Sequence, residues 1–186
     1  PHYSLKEICT GRQPVWETRF RVLWNPGSRT IYFGIRCEEK DMKNLNIGTE
    51  QDEAMGIFQG DSVEILLETL QHSYYQIAIG PSGAMVDIDR EQGIETLWSS
   101  EAEVATHLGD DFWTVEIGIP IAGENQDEIQ PNTGVAGSTP RPEYPWYFNV
   151  CRQRVRETGT VRSAFSPTGM DGFHKVMRFG RLNLKP

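Results

Sequence analysis

Phe20-Arg21-Val22-Leu23-Trp24, then Asn25-Pro26-Gly27, then Ile31-Tyr32-Phe33-Gly34-Ile35-Arg36-Cys37 is the stretch whose reading decides the fold. Phe20, Val22 and Trp24 alternate with polar or smaller partners, and Ile31, Phe33, Ile35 and Cys37 resume the alternation after the turn. Successive side chains of a strand point to opposite faces, so a period of two marks strands with one face buried. An Asn-Pro-Gly turn between two such runs predicts a β-hairpin.

The same period continues outward from this hairpin. Val63, Ile65 and Leu67 predict a strand, as do Tyr75, Ile77 and Ile79; Gly80-Pro81-Ser82-Gly83 turns the chain into Ala84, Val86 and Ile88. A second hairpin joins Ala102, Val104, Thr106 and Leu108 to Trp113, Val115, Ile117 and Ile119 through Gly109-Asp110-Asp111, and Pro120 is expected to close it. Residues 122–145, with their Gly, Asn and Pro, read as a long surface loop before a strand carrying Trp146, Phe148 and Val150, and a last strand is expected near Phe179 to Leu184. With no helical period anywhere, the expectation is one all-β domain over residues 1–186. It is an antiparallel β-sandwich with jelly-roll-like or immunoglobulin-like layers.

Composition narrows the function. Among 186 residues the formal net charge is −8, and no apolar run approaches a membrane-spanning length. An acidic chain lacks the basic surface that releases counterions from phosphates, so a nucleic-acid partner is not expected despite the local cluster Arg152, Arg154, Arg156 and Arg162. Cys9, Cys37 and Cys151 are too widely spaced for a disulfide framework, and Cys37, ending an apolar strand, reads as a small buried hydrophobe.

Strand parity sets Glu64, Gln76, Asn149, Cys151 and Gln153 opposite the apolar residues of their strands, on the outer face of a sheet where they are available as hydrogen-bond partners. Catalytic constellations are harder to assemble. His2, His72, His107 and His174 are scattered, and Asp61 and Glu64, three apart, point to opposite faces, which does not suit two carboxyls acting on one glycosidic bond. No enzyme is expected.

Phe58-Gln59-Gly60-Asp61-Ser62-Val63-Glu64-Ile65 resembles the signature strand of family 9 carbohydrate-binding modules, an aromatic residue before Asp-Ser-Val-Glu. Arg21 to Asn25 with Ile31 to Phe33, Trp113 to Pro120, Phe148 to Val150, and Phe173 through Phe179-Gly180-Arg181-Leu182 are similar to the family's other strands in consistent order. The resemblance implies a β-sandwich that holds a sugar between two aromatic rings, here Phe58 and Phe173, with Glu64 on its hydroxyls. Ala78 and Cys151 stand where the family has a sugar-binding Arg and Gln; Gln76, Arg152 and Arg162 are the candidates to replace those bonds, Asn149 is a further hydroxyl-binding candidate from strand parity, and Trp98 is an alternative stacking platform. The resemblance further implies structural calcium, for which Glu38, Glu39, Asp41 and Asp61 offer hard oxygen ligands. The partner it implies is an oligosaccharide or polysaccharide, at an extracellular, periplasmic or cell-surface location, in association with a glycan-degrading enzyme. The alternatives are a haem-binding sandwich using Met55, Met85, Met170 or His174, and a divergent protein-interaction sandwich.

Overall fold

The computed structural model describes residues 2–69, 74–91, 98–123 and 133–184. The expected hairpin is formed by β3 (Thr18–Asn25) and β4 (Thr30–Glu38), in register from Thr18 opposite Cys37 to Asn25 opposite Thr30. β4 also pairs with β9 (Phe112–Gly123), whose other side takes β8 (Glu103–Leu108). β1 (Tyr3–Ser4) on β3 and β10 (Val135–Ala136) on β9 complete the first sheet.

The second sheet runs in the order β2 (Lys6–Glu7), β12 (Gly159–Ala164), β11 (Trp146–Arg156), β5 (Ser62–Glu68), β6 (Tyr75–Ile79) and β7 (Met85–Asp89), with β13 (Gly180–Leu182) pairing β11. The two sheets bury one main core between them. Phe20, Ile31, Phe33, Ile35, Val115 and Ile117 come from the first sheet and Val63, Ile65, Leu67, Ile77 and Val150 from the second. Burying such side chains stabilises the fold by about 1.5–3 kcal/mol each. The fold is an all-β sandwich, as the alternation implied.

Three details depart from expectation. β9 does not stop at Pro120 but runs on to Gly123. Ile121 N donates to Arg29 O on the β4 side. The Pro120 nitrogen therefore faces the side where β8 has already ended at Glu103, opposite Gly118, and no donor is missed there. The segment expected as surface loop contains Val135 and Ala136, both buried and paired in parallel with β9. Gly159–Ala164, not anticipated as a strand, pairs with β11 from Arg156 opposite Gly159 to Cys151 opposite Ala164. Cys37 is buried in the core as expected, Cys151 is buried, Cys9 is exposed, and all three are free thiols.

Candidate functional site

Because Val63, Ile65 and Leu67 fill the core, Ser62, Glu64 and Leu66 stand on the outer face of β5, with Gln76 and Ala78 beside them on β6 and Cys151 on β11. The register sets Ala78 on one side of Glu64 and Cys151 on the other. Those two neighbours belong to different apolar patches. Ala78 packs with Ile57, Val86 and Ile88, against which Phe58 is half-buried. Cys151 packs with Ile8, Leu66, Ala164, Phe173 and Phe179. Glu64 thus lies at the seam between a patch carrying Phe58 and a patch carrying Phe173.

At this seam Gln76 Nε2 donates to Glu64 Oε2 at 2.7 Å, and Glu64 retains only 4% of its exposure. Burial pushes the Glu64 carboxyl up to about 7, against the opposing pull of the Gln76 hydrogen bond and the Arg90 and Arg162 guanidiniums. Gln76 Oε1 and Ser62 Oγ are buried without a hydrogen-bond partner. Unsatisfied buried polar atoms cost about 1–3 kcal/mol each, so two of them near a buried carboxyl leave hydrogen-bonding capacity unused at the seam. Ser62 was missed at the sequence level, although its parity matches that of Glu64.

Around the seam, Gln153 donates to the Phe58 carbonyl at 2.8 Å and to Gly60 O at 3.2 Å, which fixes the short 3-10 turn Met55–Gln59 that carries the Phe58 ring. His174, next to Phe173, meets Tyr74 Oη at 3.1 Å and Arg90 at 3.2 Å; burial and Arg90 lower it to about 4, so it stays neutral. Met55 and Met170 are exposed, and Met85 packs against the main core. His72 lies outside the described residues.

Other expected site residues are spent on structure. Asn149 faces outward, but its Nδ2 donates to Ser166 O and its Oδ1 accepts from Ser166 N, both at 2.9 Å. Trp98 is not a platform: it is 4% exposed, stacks on Tyr75 at 4.5 Å and donates Nε1 to Gly134 O. Phe173 is likewise 4% exposed, so its ring forms wall more than open surface. Arg152 points inward, 2% exposed, and donates Nη1 to Thr18 Oγ1 and Glu38 O across the sandwich, away from the outer face.

Arg152 belongs to a buried ionic cluster that also answers the expectation of calcium. Glu39 is fully buried and accepts from Arg152 at 3.4 Å, Arg154 at 2.7 Å and Arg156 at 2.8 Å. Burial would raise the Glu39 carboxyl, yet Arg154, the Asp41 backbone amide and Arg156 together hold it below its usual range. Asp61 accepts from Arg156 Nη1 through both oxygens, at 2.7 and 2.9 Å, and from Val155 N. Glu38 is engaged by Arg19 and Arg36, and Asp41 by Asn44. A cation at Glu38, Glu39, Asp41 and Asp61 would have to displace guanidiniums from oxygens they already neutralise, so this donor set does not fit calcium. Among the described residues no group of three or more His, Cys, Asp or Glu could hold a metal ion.

Comparison of the fold with solved structures adds the remaining observation. A candidate carbohydrate-binding protein from Bacteroides uniformis superposes with a TM-score of 0.71 at 15% identity, covering 97% of this chain and 84% of its own. A family 9 carbohydrate-binding module from Caldicellulosiruptor kristjanssonii in complex with glucose gives 0.64 at 13% identity, covering 98% and 84%. This chain shares the fold of family 9 carbohydrate-binding modules. The module in complex with cellotriose gives 0.56 at 14% identity, covering 87% and 70%. A scan against protein-family models and a search of curated proteins find no match. The likeness is therefore one of fold.

Proposed function

We propose that the chain is a non-catalytic carbohydrate-binding module that reads the hydroxyls of one sugar with Glu64, Gln76 and Ser62 on the outer face of the second sheet. The observation that carries this reading is the seam itself. A buried carboxyl and two unpartnered polar atoms lie between patches bearing Phe58 and Phe173, on a fold whose solved counterparts include modules in complex with glucose and cellotriose. A sugar hydroxyl both donates and accepts, so it can serve Gln76 Oε1, Ser62 Oγ and Glu64 together. Phe58 supplies the stacking surface for the sugar's apolar C–H face, and Phe173 closes the opposite wall. Ala78 and Cys151 contribute no hydrogen bond, which moves the polar readout onto β5 and β6. In this reading the module keeps a glycan-degrading partner on its substrate at an extracellular, periplasmic or cell-surface location.

Titration calorimetry with glucose, cellotriose and a panel of other soluble oligosaccharides tests the reading. Saturable binding is expected, with Glu64→Ala weakening it at least tenfold, equivalent to about 1.4 kcal/mol, while the circular dichroism spectrum is retained. Phe58→Ala should weaken it severalfold. Silence across the panel, or affinity unchanged in both variants, would remove the assignment.

A further inference from the structure

The outer face of the first sheet presents a second arrangement, remote in the fold from Glu64. Since Phe20, Phe33, Ile35, Val115 and Ile117 face the core, Arg21, Tyr32, Gly34, Glu116 and Gly118 face outward. The register lines up Arg21, Gly34 and Glu116 across β3, β4 and β9, and lines up Tyr32 with Gly118 in the next row. A trough of about 410 Å³ opens here, lined by Arg19, Arg21, Gly34, Arg36, Thr114 and Glu116. That size falls in the range of about 300–1,000 Å³ typical of small-molecule sites.

Two glycines matter on this face, one lining the trough and one in the row beside it. Gly34 forms the floor, and a Cβ there would meet nothing within 4 Å. A Cβ on Gly118 would stand 2.8 Å from Tyr32 Cε1, so the absence of one lets the Tyr32 ring lie down on the sheet. The ring remains 39% exposed. On the walls, Arg19 and Arg36 are both held by Glu38, and Arg36 also stacks on Phe112 at 3.4 Å. Arg21 and Glu116 have no such partner among the described residues. Standing two strands apart, they face one another over Gly34 at a backbone separation of about 10 Å. The β3 side offers the Arg21 donors and the β9 side the Glu116 acceptors with the Thr114 hydroxyl, which complements a neutral ligand able to donate and accept.

We propose that this trough and the Tyr32 ring beside it form a second glycan-binding surface, which takes an internal stretch of a neutral oligosaccharide along β4. One ring stacks on Tyr32, and the next lies over Gly34 with its hydroxyls shared between Arg21 and Glu116. Tyr32 and Gly34 are two residues apart on one face of β4, about 7 Å, which gives successive rings separate places. An acidic sugar would meet the Glu116 carboxylate and is disfavoured. The surface needs chain length, whereas the seam at Glu64 serves a single sugar.

Amide chemical-shift titration of the full chain with cellohexaose, xylohexaose, mannohexaose and laminarihexaose tests this. At least one hexasaccharide should move the Gly34, Gly118 and Thr114 signals saturably. Gly34→Val, which fills open space on extended backbone, should weaken that response at least tenfold, and Tyr32→Ala severalfold. Stationary Gly34 and Gly118 signals with all four probes, or an unchanged response in Gly34→Val, would overturn the proposal. The Gln76 and Ala78 signals report on the Glu64 seam in the same titration, so either surface can fail without the other.

Discussion

Glu39 and Glu64 are equally hidden carboxyls with opposite electrostatics. Glu39 has three guanidiniums within 3.4 Å and is held below the ordinary carboxyl range, whereas Glu64 has one amide at 2.7 Å and is pushed up to about 7. Burial alone therefore does not mark a site. What separates the two is how the carboxyl itself is met inside the protein: Glu39 is ringed by guanidiniums that tie β11 to the end of β4, although Arg152 Nε and Arg156 Nε keep no hydrogen-bond partner, while Glu64 has one amide and neighbours with hydrogen-bonding capacity left over.

The largest effect should follow from breaking the ion-paired side. Glu39→Gln leaves Arg156 on Asp61 but takes from Arg152 and Arg154 the buried carboxylate they pair with among the described residues, and removing one member of a buried ionic group costs about 3–5 kcal/mol. For a domain of this size that corresponds to a fall of about 10 °C in Tm, measurable by thermal circular dichroism. A shift below about 2 °C would mean that the arginines re-pair or reach water, and the contrast with Glu64 would collapse.

A smaller effect of different shape is expected at Glu64. With the folded carboxyl near 7 and the unfolded one near 4.5, the folded state holds a proton that the unfolded state releases across that window. The contribution is complete below about 4.5 and is lost as pH rises through 7, a change on the order of 3 kcal/mol. Glu64→Gln removes the dependence, so the variant should match the wild type near pH 4.5 and exceed it in stability at pH 8, as read from urea denaturation. His174 slopes the other way, because its depressed value makes stability fall as pH drops from 6.5 through about 4. That contribution is common to both proteins, and their difference isolates Glu64. Parallel stability curves for the two would place Glu64 in a wetter environment than the seam provides.

This contrast also separates what was legible in the sequence from what was not. The two main hairpins could be read because each strand buries one face against the core, which is the condition that produces alternation. Gly159–Ala164 could not: its Val161 is 42% exposed, and its place is set by pairing with β11. Parity set Glu64 and Gln76 on the outer face of their sheet, where the structure has them, because it depends only on strand spacing. Parity also set Arg152 on the same face as Val150, hence inward, and the family resemblance drew it to the wrong side. Trp98 and Asn149 were misjudged for another reason. Their fates rest on partners distant in sequence, Tyr75 and Gly134 for one and Ser166 for the other, and no local pattern announces such contacts.

The smallest effect, an expected zero, bears on calcium. A cation present at a hundred times its Kd would add about 2.7 kcal/mol to stability, and chelation would then lower Tm by several degrees. Here the acids that the family resemblance nominated already have their counter-charges built into the chain: Arg156 on Asp61, three arginines on Glu39, and Arg19 with Arg36 on Glu38. Guanidiniums perform the neutralisation that a divalent ion performs in a carboxylate cage, with the difference that they cannot be removed. Adding EDTA, or calcium afterwards, should therefore shift Tm by less than about 1 °C. A larger fall reversed by calcium, and unaffected by Glu38→Gln, would place a cation elsewhere in the chain and show that the arginine cluster serves shape rather than replacement.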